Sequence, residues 1–367
     1  MEKVRIGIIG AGSFAHAHAR ALTRIPGATV VAVADHTKEK AEAFCREFGW
    51  DGAVCYTDHN EMLEKEKLDC VSVCTANAAH ASCSVDALRR GVSVLCEKPM
   101  SVTYEEALSM CEAAEAGGAL LSIGFQPRFD ENMREIKRIV SSGVLGKVYY
   151  VQTGGGRRHG IPTPVGTSFI DEKKAGYGAL GDIGCYSLDL VLNALGYPRA
   201  KTVTGYTSAY FGHDPEYYLA DGKPAHYADV FSVDDFAAAF IRLEGDIILD
   251  FRIAWAMHID TPGDTIFLGT KGGLRVPSTD CWNGRIPSPM TLYYDEGGER
   301  KQKQIPLHPE SEDLIYAKLR NFVDCVARFK EGEPYELNCP GREILRNQEI
   351  LFAIKRSAEL GREVVIE

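Results

Sequence analysis

The chain has 367 residues, 45% of them apolar and 25% charged, with a net charge of −10 and both signs interspersed. That length exceeds one ordinary core, so two domains are expected. Lys and Arg form no cluster of the kind that binds nucleic acid, and no apolar run approaches bilayer-spanning length, so neither nucleic acid nor membrane is expected as a partner.

The N-terminus "MEKVRIGIIG" passes straight into a strand, which leaves no room for a signal peptide's apolar region and cleavage site. From residue 1 to 123, short apolar runs alternate with helical patterns. Strands are expected at 4–10, 29–35, 70–75, 93–98 and 119–125, and helices up to Leu22, at 38–48, near Glu61, at 79–90 and at 103–116. Near-continuous Val/Ile/Leu/Cys runs joined by helices are what a parallel sheet buried on both faces requires. From 124 to 367 the texture changes. A helix at 130–142, the strand "KVYYVQTGG" and a helix at 182–195 precede long alternating runs at 234–256 and in "TLYYDEGGERKQKQIPL", with hairpin turns at Gly245-Asp246 and Gly297-Gly298. Helices at 312–331 and 341–360 finish the chain. The fold class is therefore α/β, with an N-terminal parallel-sheet domain (1–123) and a C-terminal α/β domain (124–367) whose open sheet is mostly antiparallel. The free face of that sheet is a candidate interface for a homo-oligomer, dimer or tetramer.

Eleven cysteines include no Cys-x-x-Cys pair, and Cys70, Cys74 and Cys96 sit inside apolar runs. They read as small hydrophobes in a reducing cytoplasm, and no Cys/His cluster has the spacing of metal ligands, so no metal is expected.

"GIIGAGSFAHAHARAL" supplies Gly10, Gly12 and Ala15 as Gly-x-Gly-x-x-Ala, directly after a strand and opening a helix. Gly10 permits the tight turn, Gly12 lets backbone approach a pyrophosphate, and Ala15 permits close helix–strand packing beside the positive helix end. The second strand ends at Asp35, 20 residues beyond Ala15. A carboxylate there accepts hydrogen bonds from the adenosine ribose and repels a 2′-phosphate, favouring NAD, while Lys38 leaves NADP open. Asp35 also reads as a helix N-cap before "TKEKAEAF". "CTANAAH" follows the next strand at the carboxyl edge of the sheet, where Asn77 and His80 read either as cofactor contacts or as a turn Asn and a helix-start His. In "LCEKPMS", Glu97 and Lys98 end a strand. By itself this is a polar turn; beside a nicotinamide, Lys98 becomes a proton acceptor.

The last motif is "LGDIGCYSLDLVL". Asp182, Tyr186 and Asp189 stand at i, i+4 and i+7 of an otherwise apolar helix, and a carboxylate stripe on a buried helix must face solvent or a working cavity.

Taken together, these motifs with "GFQPRF" and "FLGTKGGL" resemble the glucose–fructose oxidoreductase/inositol dehydrogenase (Gfo/Idh/MocA) family along essentially the whole chain. The resemblance implies a Rossmann domain followed by a substrate and oligomerisation domain. It implies that Gly10, Gly12, Ser13, Phe14 and Ala15 hold the pyrophosphate of NAD, that Asp35 holds the ribose, and that Thr75, Asn77, His80, Glu97, Lys98 and Gln126 lie along the nicotinamide half. Lys98 and Tyr186 would handle the proton of a sugar or polyol hydroxyl, with Asp182 orienting the sugar and Lys98. Tyr186 departs from the family's usual His, a change shared by a Tyr-bearing subset. Alternatively, Tyr186 is a packed helix Tyr bonded to Asp182. Loop residues Arg157, Arg158 and His159 read equally as hydroxyl or carboxylate ligands and as a solvated loop, whose wording looks somewhat like members that oxidise the 3-hydroxyl of glucosides. Trp255, His258 and Trp282 are sugar-stacking or cleft candidates, with core packing favoured for Trp255.

The implied function is NAD(P)-dependent hydride transfer at a secondary CH–OH of a sugar, cyclitol or glycoside. Redox-neutral elimination or glycoside cleavage on a retained NAD is a second reading. A non-catalytic nucleotide sensor is a third, disfavoured because a sensor needs no proton relay.

Overall fold

The computed structural model describes residues 3–163, 166–259, 263–278, 285–309 and 313–366. The chain divides into two compact units, residues 1–129 with 312–345, and residues 130–311 with 346–367.

In the first unit, strands β1 (Val4–Ile9), β2 (Ala28–Ala34), β3 (Val54–Tyr56), β4 (Cys70–Val73), β5 (Ser93–Cys96) and β6 (Leu121–Ile123) pair in the order β3-β2-β1-β4-β5-β6. Every pairing is parallel. The crossovers carry helices α1 (Ser13–Leu22), α2 (Lys38–Glu47), α3 (His59–Lys65), α4 (His80–Leu88) and α5 (Tyr104–Gly117). Strands β4, β5 and β6 are buried throughout, as unbroken apolar runs covered on both faces should be. A reciprocal Thr103–Glu106 capping box starts α5, and Gly118 in the left-handed conformation ends it. The sequence pattern does not mark β3, because three residues at a sheet edge carry too little periodicity.

The second unit opens with α6 (Glu131–Ser141) and β7 (Val148–Gly154), and α7 (Cys185–Leu195) follows. The remaining strands of its sheet are β8 (Ala200–Ser208), β9 (Phe236–Leu243), β10 (Ile247–Ala254), β11 (Thr265–Gly269), β12 (Gly272–Val276), β13 (Met290–Glu296) and β14 (Glu299–Ile305). Near the C-terminus lie α8 (Leu314–Glu331), α9 (Gly341–Leu360) and β15 (Val364–Val365). The sheet runs β14-β13-β12-β11-β7-β10-β9-β8-β15, antiparallel except for β7 with β10. Both expected hairpins form: Gly245 and Asp246 take positive φ between β9 and β10, and Gly297 and Gly298 do so between β13 and β14. Helix α9 rides on one face, its backbone at Ile354 so close to Gly205 that a Cβ there would sit 2.5 Å from the Ile354 carbonyl oxygen. On the other face Tyr150, Tyr206, Phe240, Ile248 and Tyr293 are exposed or half-buried.

The division differs from the expected boundary at 123/124. The second unit begins at residue 130, and α8 returns to the first unit instead of closing the second. The cause is the apolar face of α8: Leu319, Phe322, Val323 and Val326 share one core with Ile6 and Ile8 of β1 and with Ala15, Ala19 and Leu22 of α1. No described helix is long and apolar enough to cross a membrane.

Replacing Phe322 with Ala should therefore destabilise the dinucleotide-type unit, at a cost of about 3–5 kcal/mol for a deleted buried aromatic ring. Urea unfolding followed through Trp50, packed in that same core, should show an earlier transition; an unshifted one would detach α8 from the unit.

Candidate active site

Parallel strands bring the ends of β1, β2, β4 and β5 to one edge of the sheet, and the expected cofactor residues gather there. Gly10 has φ +92°, and a Cβ on it would lie 2.8 Å from the Cys74 carbonyl oxygen, so only glycine lets β1 turn this close to β4. At Gly12 the nearest atom to an added Cβ is 4.0 Å away, so the backbone is open to an approaching group. Gly12 is the N-cap of α1 and no side chain caps that end, which suits a diphosphate. Ala15 is fully buried against the sheet.

Asp35 accepts the Ala11 N–H at 2.9 Å through Oδ2 and the Thr37 N–H at 3.1 Å through Oδ1, with Lys40 Nζ 3.3 Å away. Burial raises its pKa, but the two amides and Lys40 outweigh it and hold the carboxyl below its ordinary value. Both readings of Asp35 thus meet in one carboxylate, which ties the glycine loop to the start of α2. Lys38 is exposed.

At the next rim positions, Thr75 and Asn77 are half-buried. His80 is fully buried, with Nδ1 2.8 Å from the Pro99 carbonyl and Nε2 3.2 Å from the Thr75 carbonyl. Burial keeps its pKa below the usual histidine value. The ring therefore braces Thr75 and Pro99, which flank the rim, from behind. Lys98 is half-buried, and its N–H donates to Glu97 Oε2 at 3.3 Å. Glu97 itself is buried and paired with Lys318 and His18. Gln126 is buried in the turn after β6.

In the second unit, the expected helix at 182–195 is α-helical only from Cys185. Leu180–Gly184 form a wider π turn that carries Asp182, an irregularity of the sort that recurs at functional sites. Asp182 Oδ2 accepts the indole N–H of fully buried Trp255 at 3.0 Å. Trp255 is thus both core and the group that orients this carboxylate. Asp234 fixes the approach to the turn: its two oxygens accept the N–H groups of Gly178 and Leu180 at 2.8 and 2.7 Å, and its carbonyl accepts that of Ala179. Burial pushes Asp234 up to about 6 against the pull of those amides. Tyr186 is buried on the first turn of α7. Asp189, one turn on, is buried and bonded to the Tyr197 hydroxyl, a structural use of the carboxylate.

The loop after β7 is tied down, and one arginine stays outside it. The Arg158 carbonyl accepts the N–H groups of Met257 and His258, while its side chain is exposed. Arg157 bonds the Gly160 carbonyl at 3.2 Å. His159 stacks on Tyr217 at 4.1 Å and pairs Nδ1 with Asp221 at 3.1 Å. His258 takes φ 59° and meets Phe211 edge-on at 4.7 Å. Trp282 lies outside the described residues.

Several of these partners carry no recognisable motif. Tyr217 and Asp221 belong to a short helix (Pro215–Ala220) and its C-cap, and Asp234 to the segment before β9, each a single letter with no pattern around it. His18 and Lys318 do leave a signal, because each interrupts the apolar face of its helix and so must be spent on a buried partner.

A family model described as "Oxidoreductase family, NAD-binding Rossmann fold" matches residues 4–125, and the GFO/IDH/MocA C-terminal domain model matches residues 133–275. The chain is 31% identical over 368 residues to D-glucoside 3-dehydrogenase of Escherichia coli (strain K12), covering 98% of this chain and 97% of that protein. Two solved structures share the fold over the full length of both chains. An oxidoreductase domain protein from Kribbella flavida has a TM-score of 0.81 at 24% identity. Levoglucosan dehydrogenase complexed with NADH and L-sorbose has a TM-score of 0.81 at 19% identity.

Asp35→Asn keeps an acceptor for Ala11 or Thr37 and removes the charge that a 2′-phosphate would meet. Unit charges at such range interact by about 1–4 kcal/mol, so the ratio of NADPH to NADH affinity should rise about tenfold or more. Titrating both by cofactor fluorescence measures the ratio; an unchanged one would remove Asp35 from the ribose site.

Proposed function

The chain belongs to the Gfo/Idh/MocA oxidoreductase family, and from that premise we propose that it is an NAD-dependent dehydrogenase that oxidises the 3-hydroxyl of glycosides. The observation that carries this is the open glycine turn beside Asp35 on one rim, followed along the same sheet edge by Lys98. The glycoside 3-hydroxyl is favoured by the full-length relative that acts on D-glucosides at that position. Inositol dehydrogenases among the relatives keep cyclitols as the next class to assay.

Gly10, Gly12, Ser13, Phe14 and Ala15 would hold the diphosphate, Asp35 the ribose, and Thr75, Asn77 and Gln126 the nicotinamide half, with His80 and Glu97 bracing Thr75 and Lys98. Oxidation of a CH–OH breaks a C–H and an O–H bond, and when NAD is bound its nicotinamide supplies the hydride chemistry. The protein's task is the proton. In this proposal Lys98 and Tyr186 take it from the substrate oxygen. A free tyrosine titrates near ~10, so a phenolate at neutral pH needs a cation to favour it, the part this proposal gives to Lys98. Asp182, held by Trp255, orients the hydroxyl, and exposed Arg158 is a further substrate contact.

We further propose that a second copy covers the open face of the large sheet, where Tyr206, Phe240 and Tyr293 would otherwise stand in water. A reducing cytoplasm is the proposed location: Cys70, Cys74 and Cys96 are buried, and burial pushes their thiols up.

Lys98→Met should abolish turnover while NADH affinity stays within a few-fold. Tyr186→Phe should lower kcat by about 10²–10⁴, the range of acid–base help, with little change in NADH binding. Full activity in either variant would remove that residue from the proton path. Light scattering should give a dimer or larger, and Phe240→Glu should shift it toward monomer; a wild-type monomer would contradict the interface.

A further inference from the structure

Three ionisable side chains meet inside the first unit, below the rim that carries Lys98. Lys318 of α8 and Glu97 at the end of β5 form an ion pair with 2% and 7% of their side chains exposed. His18 of α1, fully buried, places Nε2 2.9 Å from the same carboxylate oxygen, with its Nδ1 2.7 Å from the Ser72 hydroxyl. The other carboxylate oxygen accepts the N–H of Lys98. Above the pair lies the dinucleotide loop: the Lys318 ammonium stands 5.3 Å from the centroid of the Phe14 ring, which meets His18 edge-on at 5.5 Å.

An ion pair buried this deeply is costly to desolvate, and apolar groups of the same volume often serve stability as well or better. The neighbouring inward positions of α8 are apolar, namely Leu319, Phe322 and Val323. Stability alone therefore gives no reason for a lysine at 318, and its placement against the rim does.

We propose that Lys318 is a positioning residue for the reaction: with His18 it fixes and neutralises the Glu97 carboxylate, which holds the backbone of Lys98 and sets the field in which Lys98 exchanges its proton. This rests on the proposed role of Lys98. Burial and Lys318 both lower the affinity of His18 for a proton, so the ring is neutral, donating Nε2–H to Glu97 and accepting from Ser72. Glu97 is held far below the carboxylate range, with Lys318 and His18 overcoming its burial. The other titratable groups facing Glu97 include the Cys74 and Cys96 thiols and His80, all kept uncharged by burial. The cluster thus sums to zero beside Lys98. Removing the ammonium leaves the Glu97 anion unbalanced, and its field then favours protonated Lys98.

The test uses Lys318→Met and Lys318→Arg in the full chain. Competitive acetylation with acetic anhydride across a pH series, read at Lys98 by mass spectrometry against exposed Lys201, gives the titration of Lys98 without any turnover. In Lys318→Met the midpoint should move upward, so that labelling at a fixed pH below it falls about tenfold for each unit; Lys318→Arg should restore it. With a glycoside, kcat should fall tenfold or more in Lys318→Met while NADH affinity changes less than about threefold. Should Lys318→Met fail to fold, Lys318→Gln keeps an N–H donor for Glu97 and carries the same expectation. A wild-type labelling profile in the uncharged variant would overturn the proposal. Absence of NAD reduction by the wild-type chain on every sugar would instead count against the activity, and the labelling profile would still decide the role of Lys318.

Discussion

A parallel sheet ends all its strands on one edge, and the chemistry of this chain depends on that constraint. Because β1, β2, β4 and β5 run the same way, Gly10, Asp35, Thr75 and Lys98, which lie far apart in sequence, arrive at a single rim. The strands are short and buried on both faces, so the loops leaving them have little freedom. Asp35 ties two of those loops together through backbone amides, and His80 ties a third to the segment after Lys98. The rim is therefore arranged in advance, and the binding energy of a ligand there need not be spent on ordering the loops.

The second unit solves the opposite problem. The Asp182 carboxylate sits beside a buried helix, whose own backbone amides are committed to the helix. The π turn at Leu180–Gly184 lifts Asp182 away from the helical register, and the Trp255 indole supplies the donor from the end of β10. Asp234 holds the turn's entry by its amides, so the irregular backbone is braced on its N-terminal side, and α7 continues it on the other. Asp189 has the same residue type but a different fate, because the Tyr197 hydroxyl is close enough to occupy it.

What could be read in the sequence follows from how local each cause is. The strand–glycine–helix turn, the hairpin glycines and the apolar runs act within a few residues, and each forms as its letters require. The stripe Asp182/Tyr186/Asp189 was legible as polar groups on an apolar helix, although α-helical spacing does not describe its first member. The return of α8 to the first unit depends on packing across nearly three hundred residues of chain. Periodicity shows that α8 has an apolar face but says nothing of which core receives it. The Glu97–Lys318 pair is non-local in the same way: each residue stands out in its own element, and only the fold joins them.

In the proposed reaction, a hydride passes from a secondary carbinol carbon of a glycoside onto NAD. The most direct measurement is an incubation of a methyl glucoside deuterated at C3 with the protein and NAD, followed by NMR of the recovered cofactor. Deuterium on one face of the nicotinamide C4, with loss of the label from the sugar, is the predicted result. Conversion of the glycoside with no label in the free cofactor would contradict it and point to redox-neutral chemistry on retained NAD.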